Sequence, residues 1–513
     1  MATKILLNGG NLTSSLLQKI ATERTKVEFA IAPASRERMQ RSRDFVYEIV
    51  RGRKVVYGIN TGFGALSDKH IPRKDLEKLQ YNLIRSHCTG VGRPFDPSVV
   101  RAIMVVRANC LVSGHSGVAP ELVDLYLQFV NKGVAPIVPE KGSVGASGDL
   151  APLAHIALAL IGEGEVIYRG KQMAASKALK SVLHARPAKL GPKDGLALIN
   201  GTAVMTAIGA LALEDAKMLA RAFDIAGAMT VEGTKGTDRA FSEEISRVRP
   251  QEGQLLVAQN LRRLMEGSQV RASHLHCGKV QDSYSLRCIP QVHGAVRQTI
   301  THTDRVLAIE LNSVTDNPLI FPETKEVISG GNFHGEPVAL ALDYLTMGVA
   351  ELCSISERRV EKMMNASFSN LPSFLTKKGG LHSGLMMAHV THAALTSENK
   401  VLAHPASVDS IPTSTDKEDH VSMGVSAARK LSEVIENAKH CLAIEFLANT
   451  QALEFLHPTK SSPVLESVYR LIRKRVPAIG DDRVFAKDLQ SIYQMINSGE
   501  IVAAAESVIG PLA

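Results

Sequence analysis

From Val338 onward, the apolar residues Val338, Leu342, Leu345, Val349, Leu352, Val360 and Met363 recur mostly three or four positions apart, which places them on one stripe of a helix. About 28 residues at 1.5 Å each make that helix about 42 Å long. A second series, Val421, Val425, Ala428, Leu431, Val434, Ala438, Cys441 and Phe455, predicts another of at least equal length. Helices this long with a single apolar seam pack side by side as a bundle. The segment 195–220 breaks at Asn200-Gly201 and is then apolar on nearly every face, the pattern of a helix in the centre of a large core. Upstream, the spacing predicts a polar helix over 75–86, apolar helices over 97–112 and 118–132, and a helix beginning after Asp149, which reads as its cap. Strand-like alternation is confined to short pieces such as a hairpin in GEVIYRGKQM. The predicted fold is mainly α: an N-terminal head with small β elements over 1–205, then a long central helical bundle with C-terminal helices over 206–513.

Composition narrows the function classes. With 45% hydrophobic and 21% charged residues in 513, the chain is neither disordered nor fibrous. Its net charge of +8 is mild, Trp is absent, and no window interleaves basic and aromatic residues, so no nucleic-acid partner is expected. The six cysteines include no CxxC pair, which argues for reduced thiols and against a zinc ribbon or a secreted disulfide framework. The N-terminal apolar run is too short for a signal peptide, and the apolar stretch at 156–161 is far below bilayer length. A cytoplasmic protein without a membrane partner is the expectation. No GxxxxGK[ST], HExxH or GxSxG motif occurs. His274 with His276 and His389 with His392 lack the partner spacing of a zinc site, so no metal is expected.

Two glycine-rich loops remain. In YGINTGFGAL, residues 57–66, three glycines in seven positions exclude regular helix. In GSVGASGD, residues 142–149, a run of small residues precedes an apolar helix. With NGTAVM at 200–205, QDSYSLRCIPQVHG at 281–294, GGNFHGEP at 330–337 and KEDHVSMG at 417–424, these segments resemble the ammonia-lyase family that contains histidine, phenylalanine and tyrosine ammonia-lyases. The resemblance extends from about Val55 to the bundle near Leu456.

The resemblance implies that Ala146, Ser147 and Gly148 cyclise autocatalytically to 4-methylidene-imidazol-5-one (MIO), carried by the N-terminal head. The triplet suits that chemistry, because the amide nitrogen of Gly148 must reach the carbonyl of Ala146 in a contact that a side chain at Gly148 would obstruct. Two waters are lost, and an electrophile results that takes up the substrate amine and makes it a better leaving group. The family pattern further implies Tyr57 as the catalytic base, Asn200 beside the MIO, Tyr284 among the catalytic residues, Gln281 and Arg287 in substrate binding with Arg287 on the carboxylate, and Phe333 at the MIO wall. It implies a homotetramer with sites shared between chains.

Two positions bear on which amino acid is bound. His87 is compatible with histidine-specific and some tyrosine-specific members. Glu418 discriminates more, because a carboxylate can accept an imidazole N–H, whereas a desolvated carboxylate against a phenyl ring is costly. Met386 also reads like the histidine-specific members. His389, His392 and Lys417 depart from the forms expected near those motifs. The expected reaction is elimination of ammonia from L-histidine to give trans-urocanate, with Glu418 among the catalytic residues. The alternatives are a tyrosine or phenylalanine ammonia-lyase, an aminomutase of the same family, or a helical assembly protein without activity.

Overall fold

Helices make up most of the chain. A computed structural model describes residues 3–22, 27–52 and 54–513. The two predicted long helices are Glu336–Met364, of 29 residues, and Gly424–Leu456, of 33. The segment with apolar residues on nearly every face is helix Ala203–Gly233, of 31 residues, preceded by the short helix Asp194–Ile199 and a break at Asn200–Gly201, as its sequence indicates. Helices Leu76–His87, Pro97–Leu111 and Pro120–Lys132 lie where the spacing puts them. Pro97–Leu111 starts as its sequence dictates, with Pro97 at the first position and the Asp96 carboxylate accepting from the Ser98 N–H at 2.8 Å.

Sheets are small. Thr3–Leu7 pairs in parallel with Val27–Ile31, and Val91–Pro94 pairs antiparallel with Pro139–Lys141. The predicted hairpin is Glu165–Tyr168 against Lys171–Ala174, with Ala135–Pro136 added at the edge. Leu319–Phe321 pairs with Glu326–Ile328. Among the described residues one helix, Glu336–Met364, is long and apolar enough to cross a membrane, but 67% of its most apolar window is buried inside the protein.

The chain divides into two compact units. The first gathers residues 1–214, 303–343 and 405–429; the second gathers 215–302, 344–404 and 430–513. The head expected over 1–205 therefore lies within the first unit, which also recruits two later segments. Its core includes Val100, Ile103, Val105, Leu111, Ile156 and Leu160, none more than 1% exposed.

The second unit buries an unbroken polar network. Asp224 binds His293 Nδ1 and Arg297, each at 2.7 Å. Arg359 donates to His293 Nε2 at 3.2 Å and grips both oxygens of Glu445, at 2.5 and 2.9 Å. Ser356 then links Glu445, at 2.6 Å, to His392, at 3.0 Å.

One expectation fails. Asp149 precedes helix Leu150–Leu160 but makes no side-chain cap to it. Its Oδ2 instead accepts the N–H groups of Val204 and Met205, at 2.7 and 3.0 Å, so it serves the exposed donors of helix Ala203–Gly233. The two backbone N–H groups of that distant helix outcompete the local ones.

Candidate active site

The Ala146-Ser147-Gly148 triplet sits in a tight turn of the first unit. Ser147 and Gly148 have φ of +53° and +75°, and the Gly148 N–H bonds back to the Gly145 carbonyl at 3.3 Å. A left-handed serine is uncommon and persists only where its surroundings enforce it. Here they do, because the turn is laced to the Asn200–Gly201 break. The Gly201 N–H donates to Ser147 O at 3.2 Å, and the Asp149 N–H donates to Gly201 O at 2.8 Å. A Cβ on Gly148 would come within 2.3 Å of the Gly201 oxygen, so only glycine fits. Ala146 and Ser147 are half-buried, Gly148 and Asp149 fully so.

Ser147 opens onto a cavity of about 450 Å³ lined also by Tyr57, Asp68, Asn200, Asn317, Phe333, Lys417 and Glu418. A second recess of about 410 Å³ shares Ser147, Phe333, Lys417 and Glu418 and adds His334 and His420. Of the residues expected at the site, the structure thus brings together Tyr57, Ala146, Ser147, Asn200, Phe333 and Glu418 on the walls of these two spaces, with Gly148 directly behind. His87, half-buried at the end of helix Leu76–His87, lies near enough to feel the charge of Glu418. Gln281, Tyr284, Arg287 and Met386 belong to the second unit. There Gln281 is exposed, Tyr284 is 72% exposed, the Arg287 guanidinium lies 4.6 Å from the Tyr284 ring centroid, and Met386 is 37% exposed.

Electrostatics differ from group to group. Burial pushes the Tyr57 phenol above its ordinary pKa; the Gly64 N–H opposes this, and the charges of Glu418 and Asp316 add to it. Burial pushes His87 down, against Leu83 and Glu418, which favours a neutral imidazole. Asn200 is 2% exposed. Its Nδ2 donates to Asp316 Oδ1 at 2.9 Å and to the Asn317 carbonyl at 3.1 Å, which leaves Oδ1 free among the described residues. Asp316 is in turn held by Lys193 at 2.7 Å, both side chains fully buried. Among the described residues the Glu418 carboxylate takes one hydrogen bond, from Thr413 Oγ1 to Oε2 at 2.9 Å.

Sequence reasoning missed Lys193, Asp316 and Asn317, which fix Asn200, and Asp68 on the cavity wall, and it noted Lys417 only as a departure from the family motif. No local pattern marks them, because Lys193 and Asp316 meet across 123 positions. His334, Glu336 and His420 also place one ligand atom each within 4.8 Å of the others, where no metal was expected. The His334 nitrogens, however, already face the Glu336 N–H and the His420 carbonyl.

Residues 12–474 match the family described as aromatic amino acid lyase. The chain belongs to that family. It is a carbon–nitrogen lyase. It is 50% identical to a histidine ammonia-lyase of Symbiobacterium thermophilum, over 98% of this chain and 99% of that one. The crystal structure of histidine ammonia-lyase from Trypanosoma cruzi superposes with a TM-score of 0.92 at 43% identity, over 99% of this chain and 96% of that one. The tyrosine aminomutase of Streptomyces globisporus superposes with a TM-score of 0.93 at 36% identity, over the whole of both chains. The helical fold expected from the sequence is that of these neighbours.

Proposed function

We propose that the protein eliminates ammonia from L-histidine to give trans-urocanate, using an MIO group formed from Ala146, Ser147 and Gly148. The observation that carries this reading is the convergence of the enforced Ser147–Gly148 turn, Tyr57 and Glu418 on one cavity, in a chain about half identical to histidine ammonia-lyases over its full length. The triplet fits the group, being small, tightly turned and without room for a side chain at Gly148. Once formed, MIO supplies an electrophile for the substrate amine.

The remaining work falls to the chain's own side chains. Tyr57, as phenolate, takes the β-proton; the C–H electron pair becomes the double bond as the C–N bond breaks. Reaching phenolate requires overcoming burial and two nearby carboxylates, and the Gly64 N–H is the group that helps. Glu418 accepts the imidazole N–H. The free Oδ1 of Asn200 accepts from the substrate amine, with its orientation fixed by Asp316 and Asn317. Arg287 binds the substrate carboxylate from a neighbouring copy, alongside Gln281, Tyr284 and Met386, in a homotetramer. Exposed apolar residues of the second unit support such association: Leu275 at 58%, Val280 at 100%, Met387 at 62% and Val401 at 73%. All six cysteines are unpaired, which supports a cytoplasmic location.

The test is direct. L-histidine should be consumed with the rise in absorbance of urocanate, and L-tyrosine and L-phenylalanine should be poor substrates. Preferred turnover of L-tyrosine, or recovery of a β-amino acid, would replace this reading with a tyrosine lyase or an aminomutase.

A further inference from the structure

Residues 413–418 form a closed loop with an uncommon backbone. Ser414, Thr415 and Asp416 have φ of +51°, +50° and +62°, three successive non-glycine residues in the left-handed region, an arrangement that the surrounding structure must enforce. The ends are pinned to each other. The Thr413 N–H donates to Glu418 O at 2.9 Å, the Glu418 N–H returns to Thr413 O at 3.3 Å, and Thr413 Oγ1 reaches Glu418 Oε2 at 2.9 Å. The strained side touches the other loop of the site. Ser414 Oγ accepts the Ala65 N–H at 3.1 Å and sits so close to Gly64 (φ +54°) that a Cβ there would approach it to 2.4 Å. Gly64 lines the same cavity as Tyr57, and its backbone N–H is the group that favours the phenolate.

The donor that serves the phenol and the donor held by Ser414 are therefore on adjacent residues, and Ser414 stands four residues before Glu418. We propose that Ser414 is a positioning residue that latches the Glu418 loop onto the Tyr57 loop, holding the Gly64 N–H against the phenol and fixing the distance between base and carboxylate. The inference rests on the reading above, in which Tyr57 removes the proton and Glu418 meets the imidazole. Without the latch, the Gly64 N–H loses its fixed aim. The other groups acting on the phenol are Glu418 and Asp316, which disfavour phenolate, while Asp68 and Lys417 share the cavity wall and His87 feels Glu418.

Ser414→Ala should lower kcat about tenfold, what a single neutral hydrogen bond is worth at its upper end, with a smaller change in KM. The rising limb of the kcat/KM pH profile should move to higher pH. Ser414→Asn should recover part of both, since asparagine tolerates the left-handed region and keeps an acceptor oxygen. Ser414→Gly relieves the backbone strain yet lacks the hydroxyl, so it should resemble the alanine variant in pH profile even where it unfolds later. An alanine or glycine variant with the parent's kcat and pH profile would overturn the latch. If instead the parent itself fails to turn over L-histidine, the functional reading falls, whatever Ser414 does.

Discussion

In the second unit, Asp224, His293, Arg359, Glu445, Ser356 and His392 are each at most 1% exposed, and every charge is answered by the next member. In the first unit, Lys193, Asp316 and Asn200 are at most 2% exposed, but their chain ends at a cavity, where Asn200 and Glu418 keep acceptor oxygens unspent among the described residues. Shifted titration is found around the closed network as well. The Cys441 thiol is drawn down by Cys353 and His392 against its burial, and His392, which burial alone would depress, is carried above its ordinary value by Cys441 and Glu445. Perturbed ionisation alone therefore does not mark a reaction centre. What distinguishes the first unit is a buried network that stops short and faces open space.

Four changes test this contrast, from the largest expected effect to the smallest. Ser147→Ala should fold normally and lose several orders of magnitude in turnover, because alanine has no hydroxyl to eliminate. The parent's intact mass should fall about 36 Da below that of the unmodified chain, two waters by stoichiometry, and the variant's should not. Near-parental activity in the variant would remove the triplet from the chemistry. Glu445→Ala strands the Arg359 guanidinium without its partner, and breaking a buried pair in this way costs about 3–5 kcal/mol. The loss should appear as a lower urea midpoint, and an unmoved midpoint would mean that the network is not needed for stability.

Glu418→Gln keeps size and shape but gives up a charge-assisted contact worth about 1.5–3 kcal/mol, so L-histidine turnover should drop about ten- to a hundredfold. Activity toward L-phenylalanine should hold or rise. Equal L-histidine turnover in parent and variant would undo the imidazole assignment.

The last test concerns Asp149, which burial pushes up to about 7 against the N–H groups of Met205 and Val204. A carboxyl whose folded-state pKa lies above its unfolded value stabilises the protein fully below that unfolded value, near 3.9, and the contribution is lost as pH rises through about 7. Stability compared at pH 5 and pH 8 should fall less in Asp149→Asn than in the parent. An identical fall in both would show that Asp149 does not titrate in that window.

The long elements were legible because apolar spacing is a local property: Val338 to Met363 and Val421 to Phe455 each announce a helix, and Asn200-Gly201 announces its break. The loops bearing Tyr57 and Ser147 were legible from their glycines. Residues whose roles depend on distant partners were not. Asp149 looks like a cap for its own helix, and only the fold reveals that its carboxylate reaches Val204 and Met205. Lys193, Asp316 and Ser414 carry no pattern at all, since each acquires its meaning from a segment more than a hundred positions away. The same holds for 303–343 and 405–429, which join the first unit although long stretches of chain intervene.

The backing of the Ala146-Ser147-Gly148 turn comes from late in the chain. The Met423 N–H donates to Val144 O at 2.9 Å, and Ser422 closes over Gly145. On the proposed reading this sets a clock for biosynthesis. While the ribosome is still extending the polypeptide, the triplet has its Gly201 partner but lacks the backing of Ser422 and Met423, which have not yet been made. The completed backing forms only after synthesis has passed Met423 and that segment has folded back, so a chain truncated before Ser422 should keep its unmodified mass.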